Sequence, residues 1–122
     1  MSIPQSGGGQ IENMNQLSEY LESGCKLTKD WRIGTEHEKF GFDKSTLKPL
    51  PYEGSCSIKS MLEGLRDTFD WTPVYEQDNL IGLEKNGANV SLEPGGQLEL
   101  SGAPLESIHQ TCDEANLHLK EV

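Results

Sequence analysis

Asn86-Gly87 stands between two short apolar segments, Leu80–Glu84 and Ala88–Glu93, and no other feature constrains the fold as tightly. An Asn-Gly pair adopts positive φ at both positions at little cost, so it closes a two-residue hairpin whose twist matches its strands. Pro94-Gly95-Gly96 repeats the signal one strand later, and Gln97–Ser101 returns as a further strand. With Pro73–Glu76 ahead of them, these pieces predict an antiparallel meander.

Helical periodicity brackets the meander. Ile11, Met14, Leu17 and Leu21 repeat at helical spacing, with Gly24 as the stop. Ile58, Leu62, Leu65 and Phe69 mark a second amphipathic helix, capped by Ser55 or Ser57. Leu105, Ile108, Cys112, Ala115, Leu119 and Val122 form a third stripe, roughly 27 Å long, with Pro104 suited to its first turn. That stripe reaches the last residue without a stop, from which the chain is expected to be a fragment of something longer. The fold class is α+β, an antiparallel sheet flanked by helices. Residues 1–10, rich in Gly and Ser, are expected to be a flexible tail, leaving 11–122 as the folded part.

Trp31–Phe42 reads as another strand. Alternation puts Gly34, Glu36, Glu38, Phe40 and Phe42 on one face and Ile33, Thr35, His37 and Lys39 on the other. Neither face is uniformly apolar, so burial alone does not explain the strand. About sixty residues later, Gln97 and Glu99 alternate onto one face while Leu98 and Leu100 face the core, and Glu93 lies next to the Pro94-Gly95-Gly96 reversal. Side by side, the two strands gather four carboxylates. At an effective dielectric near 20, like charges about 4 Å apart repel by roughly 4 kcal/mol. Such a patch either raises its carboxyl pKa values or holds a divalent cation; Mg²⁺, with its preference for hard oxygen ligands, suits carboxylates held on stiff strands. Taken alone, Glu36-His37-Glu38 more often marks a solvated face.

The net charge of −10 has no basic cluster within it, which excludes a nucleic-acid backbone or an anionic membrane as the natural partner. Three cysteines, Cys25, Cys56 and Cys112, make no C-x-x-C pair and fit a reducing compartment. No signal peptide and no transit peptide is visible at the N-terminus. The expected location is therefore the cytoplasm, with a plastid as the alternative for a plant protein. Cys112 lies on the third stripe and is expected to be a small core residue. His37 points away from Glu36, so hydrogen bonding rather than metal ligation is its expected role. No His/Cys spacing matches a zinc site.

Five blocks together carry a resemblance: L-E-S-G-C-K, W-R-I-G-T-E-H-E-K-F-G-F, I-G-L-E, V-S-L-E-P-G-G-Q-L-E-L-S-G-A-P-L-E and H-Q-T-C-D-E-A-N-L-H-L. They resemble the plant-type and proteobacterial glutamate–cysteine ligase family over nearly all of residues 14–122. The resemblance implies the N-terminal part of a longer catalytic domain similar to that of glutamine synthetase. It implies ATP-dependent ligation of L-cysteine to the γ-carboxylate of L-glutamate through an acyl phosphate, giving γ-glutamylcysteine for glutathione. It further implies that Glu36 and Glu38 are one metal-binding pair and Glu93 and Glu99 the second, with Mg²⁺ as the ion and ATP as co-substrate. Gln97 faces the same site, for a metal, a water or a substrate, and Ser101 with the Gly95-Gly96 turn lines the substrate pocket. The partners implied are L-glutamate, L-cysteine, ATP and the rest of the same polypeptide. Any cysteine able to pair with Cys112 in a regulatory disulfide would lie beyond Val122. Two alternatives remain: another ATP-dependent carboxylate–amine ligase of this fold, or a non-catalytic domain that binds divalent cations.

Overall fold

A computed structural model describes residues 8–122. Most of the expected tail, residues 1–7, lies outside the described residues, and 8–10 are exposed without regular structure. Strands β1 (Glu36–Phe40), β2 (Thr72–Glu76), β3 (Asn79–Lys85), β4 (Ala88–Glu93) and β5 (Gln97–Ser101) form one antiparallel sheet in the order β1-β5-β4-β3-β2. Helices α1 (Met14–Ser23), α2 (Ile58–Phe69) and α3 (Ile108–Glu121) complete the α+β architecture. Among the described residues no helix is long and apolar enough to cross a membrane.

The meander forms where the turn chemistry places it. Asn86 and Gly87 both take positive φ, 53° and 84°, as the two-residue hairpin requires. Gly95 and Gly96 also sit at positive φ, in a short 3-10 turn that reverses β4 into β5. Between β2 and β3 the register slips: Val74 pairs with Gly82 but Tyr75 with Leu80, leaving Ile81 as the extra residue. This slip lets both Leu80 and Leu83 be buried.

The core lies on one side of the sheet. Leu98, Leu100, Val90, Leu83 and Leu80 pack with Ile58, Leu62 and Leu65 of α2 and with Trp71. The N-terminus of α2 is held by a reciprocal pair: the Ser60 N–H donates to Ser57 Oγ (3.1 Å), and the Ser57 N–H donates to Ser60 Oγ (3.0 Å). Ser57→Ala removes one acceptor for the unpaired amides of the first turn and is expected to cost about 1 kcal/mol. Urea denaturation checks this, and a Ser55→Ala control should leave the midpoint in place.

Three expectations are corrected here. The strand expected over residues 31–42 is shorter: only Glu36–Phe40 is continuous, while Ile33 and Phe42 make isolated bridges to Leu105 and Pro49. Pro104 does not open the last helix. That helix starts at Ile108 behind Ser107, whose Oγ accepts from the Gln110 N–H, because Leu105 is held in its bridge to Ile33. Finally, the apolar stripe of α3 is not its packed face. Cys112 is exposed, and Ile108, Leu119 and Val122 keep 63%, 53% and 44% of their surface. Thr111 and His118 are buried instead. The cause is local: Glu114 Oε1 accepts from the Ala103 N–H at 2.9 Å, which turns the polar side of the helix toward the sheet.

Helix α1 ends at Gly24 as expected, although Gly24 is right-handed (φ −76°) and not a left-handed cap. Its N-cap is Asn13, so Ile11 precedes the helix, and Met14, Leu17 and Leu21 are exposed.

Candidate functional site

The register of the sheet assembles the acidic face. Residues directly opposite one another across antiparallel strands point to the same side. Glu36 pairs with Ser101, Glu38 with Glu99, and Phe40 with Gln97; on the other flank of β5, Asn89, Ser91 and Glu93 pair with Ser101, Glu99 and Gln97. Three rows therefore cross β1, β5 and β4: Glu36–Ser101–Asn89, Glu38–Glu99–Ser91 and Phe40–Gln97–Glu93. All four glutamates, with Gln97 and Ser101, lie on one face. Leu98 and Leu100, one residue out of phase, lie on the buried side.

The rows differ in exposure. Glu36 and Glu38 on the edge strand are exposed, Glu93 and Gln97 are half-buried, and Glu99 keeps only 6% of its surface. Two serines orient carboxylates. Ser101 Oγ donates to Glu99 Oε1 (2.6 Å), and Ser91 Oγ donates to Glu93 Oε1 (3.0 Å). A hydroxyl that occupies one carboxylate oxygen restricts the rotamer of the side chain that carries it. Ser91 is absent from the residues singled out above, yet the alternation Asn89, Ser91, Glu93 places it beside Glu93. A cleft of about 320 Å³ lies at one end of this face, lined by Gly34, Thr35, Glu36, Ser101 and Gly102.

Facing and row are thus as expected, but closure is not. Among the described residues, no three His, Cys, Asp or Glu side chains converge closely enough to hold a metal ion. The donor set is nonetheless of one chemical kind, carboxylate and hydroxyl oxygens, and that kind fits a hard divalent cation. His37 lies on the opposite face from its neighbours Glu36 and Glu38, and its ring packs edge-on against His118 with centroids 6.0 Å apart.

Behind the acidic face, the packing between β1 and α3 is unusual. Among the described residues, neither ring nitrogen of the buried His118 has a hydrogen-bond partner. Burial, reinforced by the charges of Lys39 and His37, pushes its pKa down to about 4. Lys39 Nζ is likewise buried without a partner among the described residues, and desolvation holds its pKa below the ordinary lysine value.

The sequence model described as Glutamate-cysteine ligase family 2 (GCS2) matches residues 32–122. Over 106 residues, 87% of the chain, the sequence is 58% identical to the chloroplastic glutamate–cysteine ligase of Nicotiana tabacum and 57% identical to that of Medicago truncatula. It is 56% identical over the same share to the chloroplastic glutamate–cysteine ligase B of Oryza sativa subsp. japonica. The aligned part is 20% of the tobacco and Medicago proteins and 21% of the rice protein, so the chain spans about a fifth of their length. All three names carry the word chloroplastic, which overturns the expectation of a cytoplasmic location. Composition and the absence of a visible leader had pointed there, and neither reports the compartment of the close relatives.

Proposed function

Because the chain belongs to the glutamate–cysteine ligase family, we propose that its acidic sheet face is part of the active site of a plastid ligase joining L-cysteine to the γ-carboxylate of L-glutamate. In this reaction the γ-carboxylate takes the terminal phosphoryl group of ATP and releases ADP. The cysteine amine then attacks the acyl carbon, and phosphate leaves with the C–O bond electrons. The observation that carries the proposal is the register: Glu38 and Glu99 lie directly opposite on β1 and β5, with Glu36 and Glu93 on the same face one row away.

Glu36, Glu38, Glu93 and Glu99 are the residues that would hold Mg²⁺. When bound, the ion supplies neutralisation of the charge on the transferring phosphoryl group. The chain's own contribution is position. Three adjacent strands, β1, β5 and β4, fix the carboxylate-bearing backbone, Ser101 and Ser91 orient Glu99 and Glu93, and Gln97 offers a neutral amide between them. Side chains supported in this way need little reorganisation when charge develops, which is where such enzymes gain most of their rate. The cleft beside Glu36 and Ser101 is the natural entry for a small polar substrate. A sheet face of this kind also fits the glutamine-synthetase-like domain that the family resemblance implies.

The test uses a chimera in which this chain replaces the matching fifth of the tobacco enzyme. It is expected to form γ-glutamylcysteine from ATP, Mg²⁺, glutamate and cysteine, detected by mass spectrometry with stoichiometric ADP. The 122-residue chain by itself is expected to form none, because its two arginines, Arg32 and Arg66, are bound to Glu106 and Asp67 and leave no basic clamp for the substrate carboxylates. A chimera that folds and yet joins glutamate to a different amine would favour another ligase of this fold.

A further inference from the structure

A groove of about 330 Å³ opens between β1, α2 and α3, on the side of the sheet away from the carboxylates. Met61, Leu98, Leu119 and Val122 give it an apolar wall, and Lys39 is its one cation among the described residues. The wall is only partly covered, with Leu119 at 53% exposure and Val122 at 44%. Lys39 Nζ is buried and has no hydrogen-bond partner among the described residues. The titratable side chains beside it, His37 on β1 and His118 on α3, are both bases, and the α-carboxylate of Val122, which shares the groove, makes no hydrogen bond to it. Twenty acidic residues stand against ten basic ones in this chain, yet no acidic side chain pairs with Lys39 among the described residues. A buried, unpaired ammonium group is costly, and its counter-charge has to come from elsewhere.

We propose that this groove docks a polypeptide segment carrying a carboxylate between apolar side chains, supplied by the four-fifths of a family member that this chain does not span. The carboxylate pairs with Lys39, and its apolar neighbours cover Leu119 and Val122. Charge selects this occupant over a second copy of the chain, since two copies would each bring a net charge of −10 to the contact. The apolar wall selects it over a small free carboxylate, which would neutralise Lys39 and leave the wall open to water. The inference rests on family membership and not on the reaction proposed above.

Lys39→Met tests it by sign. In the chimera, the substitution leaves the docked carboxylate buried without its partner, and the thermal midpoint is expected to fall by about 5 °C. In the 122-residue chain it removes an unpaired buried cation, and the midpoint is expected to hold or rise. Lys39→Arg, which keeps the charge, should recover part of the loss in the chimera. A midpoint that holds or rises in both proteins overturns the proposal. So does a fall in the short chain that grows with protein concentration, which marks a second copy. So does a rise in the short chain's midpoint with sodium acetate that Lys39→Met abolishes, which marks a small free ligand. Carbodiimide coupling gives a readout independent of stability. An amide between Lys39 and a carboxylate of the tobacco-derived portion supports the proposal, and coupling within residues 1–122 or none at all overturns it. An active chimera with an unmoved midpoint removes the docking inference alone, and an inactive one whose midpoint falls removes the ligase proposal alone.

Discussion

Glu99→Gln and Glu38→Gln, placed singly in the chimera, are each expected to lower kcat by about 100-fold or more, a loss typical of removing one strong electrostatic group from a phosphoryl or acyl transfer site. Glutamine keeps the shape and volume of glutamate and loses only the charge. Stability should move the other way. Glu38 and Glu99 are directly opposed across β1 and β5, and like charges opposed on neighbouring strands are destabilising. Relieving that repulsion should hold or raise the thermal midpoint while activity collapses, the pattern expected where a fold tolerates strain for function. The Mg²⁺ concentration giving half-maximal rate should rise at least tenfold. Glu84→Gln is the control. It shares the acidic face but lies on β3, two strands beyond β5, and should change kcat less than threefold. Rates within threefold of the parent for both Glu38→Gln and Glu99→Gln would sink the assignment of these carboxylates.

The second large effect is on stability against pH, and it comes from His118. Its pKa falls from 6.5 to about 4 on folding because burial disfavours the charged ring and Lys39 and His37 repel it. The unfolded chain therefore binds the proton more tightly than the folded one. The stability held in the neutral ring is fully present above pH 6.5 and is lost as the pH drops through about 4. A shift of that size corresponds to about 3 kcal/mol. Of the groups around the ring, Lys39 and His37 are the ones that act on it, and both lower its pKa; Glu121 is engaged by the Trp71 indole and Lys85 by the Phe69 carbonyl, while Glu114 accepts from the Ala103 amide through Oε1 and keeps Oε2 buried without a partner among the described residues. Urea unfolding of the 122-residue chain at several pH values between 7.5 and 4 should show the decline. His118→Gln should flatten it, and an unchanged slope in that variant would assign the decline elsewhere. Asp43 does not confuse the window. Hydrogen bonds from Ser45 and Thr46 hold its pKa at about 2, so its contribution is lost between 3.8 and 2.

What was legible in the sequence follows from how local the signals are. The meander was readable almost residue by residue, because Asn86-Gly87 and Pro94-Gly95-Gly96 dictate backbone reversals that no distant contact needs to enforce. Helix α2 was readable from its own periodicity, with Ser55 or Ser57 as the expected cap and Ser57 the one that serves. Helix α3 shows the limit. Periodicity identifies an apolar stripe but not what the stripe meets, and a single bond from the Ala103 amide to Glu114 turns that stripe outward. The site divides in the same way. Alternation put Glu36 with Glu38 and Gln97 with Glu99, and the register, which alternation does not give, set them in rows on one face. The hydrogen bond from Ser91 to Glu93 went unread although its spacing was visible, because a serine two residues before a glutamate is too common a pattern to stand out.

The strand order has a consequence for how this face comes into being. β1 has one neighbour in the sheet, β5, which enters the sequence about sixty residues after it. Every other strand pairs with one reached through a short turn. Closing so long a loop carries an entropic cost that the local hairpins do not bear, so the β1–β5 ladder is expected to form last. On a ribosome, β1 emerges first and waits unpaired until the whole meander has been made. Glu38 has no Glu99 opposite it until that last ladder zips, so the chain carries no charge-crowded face until the rest of its sheet is there to hold it.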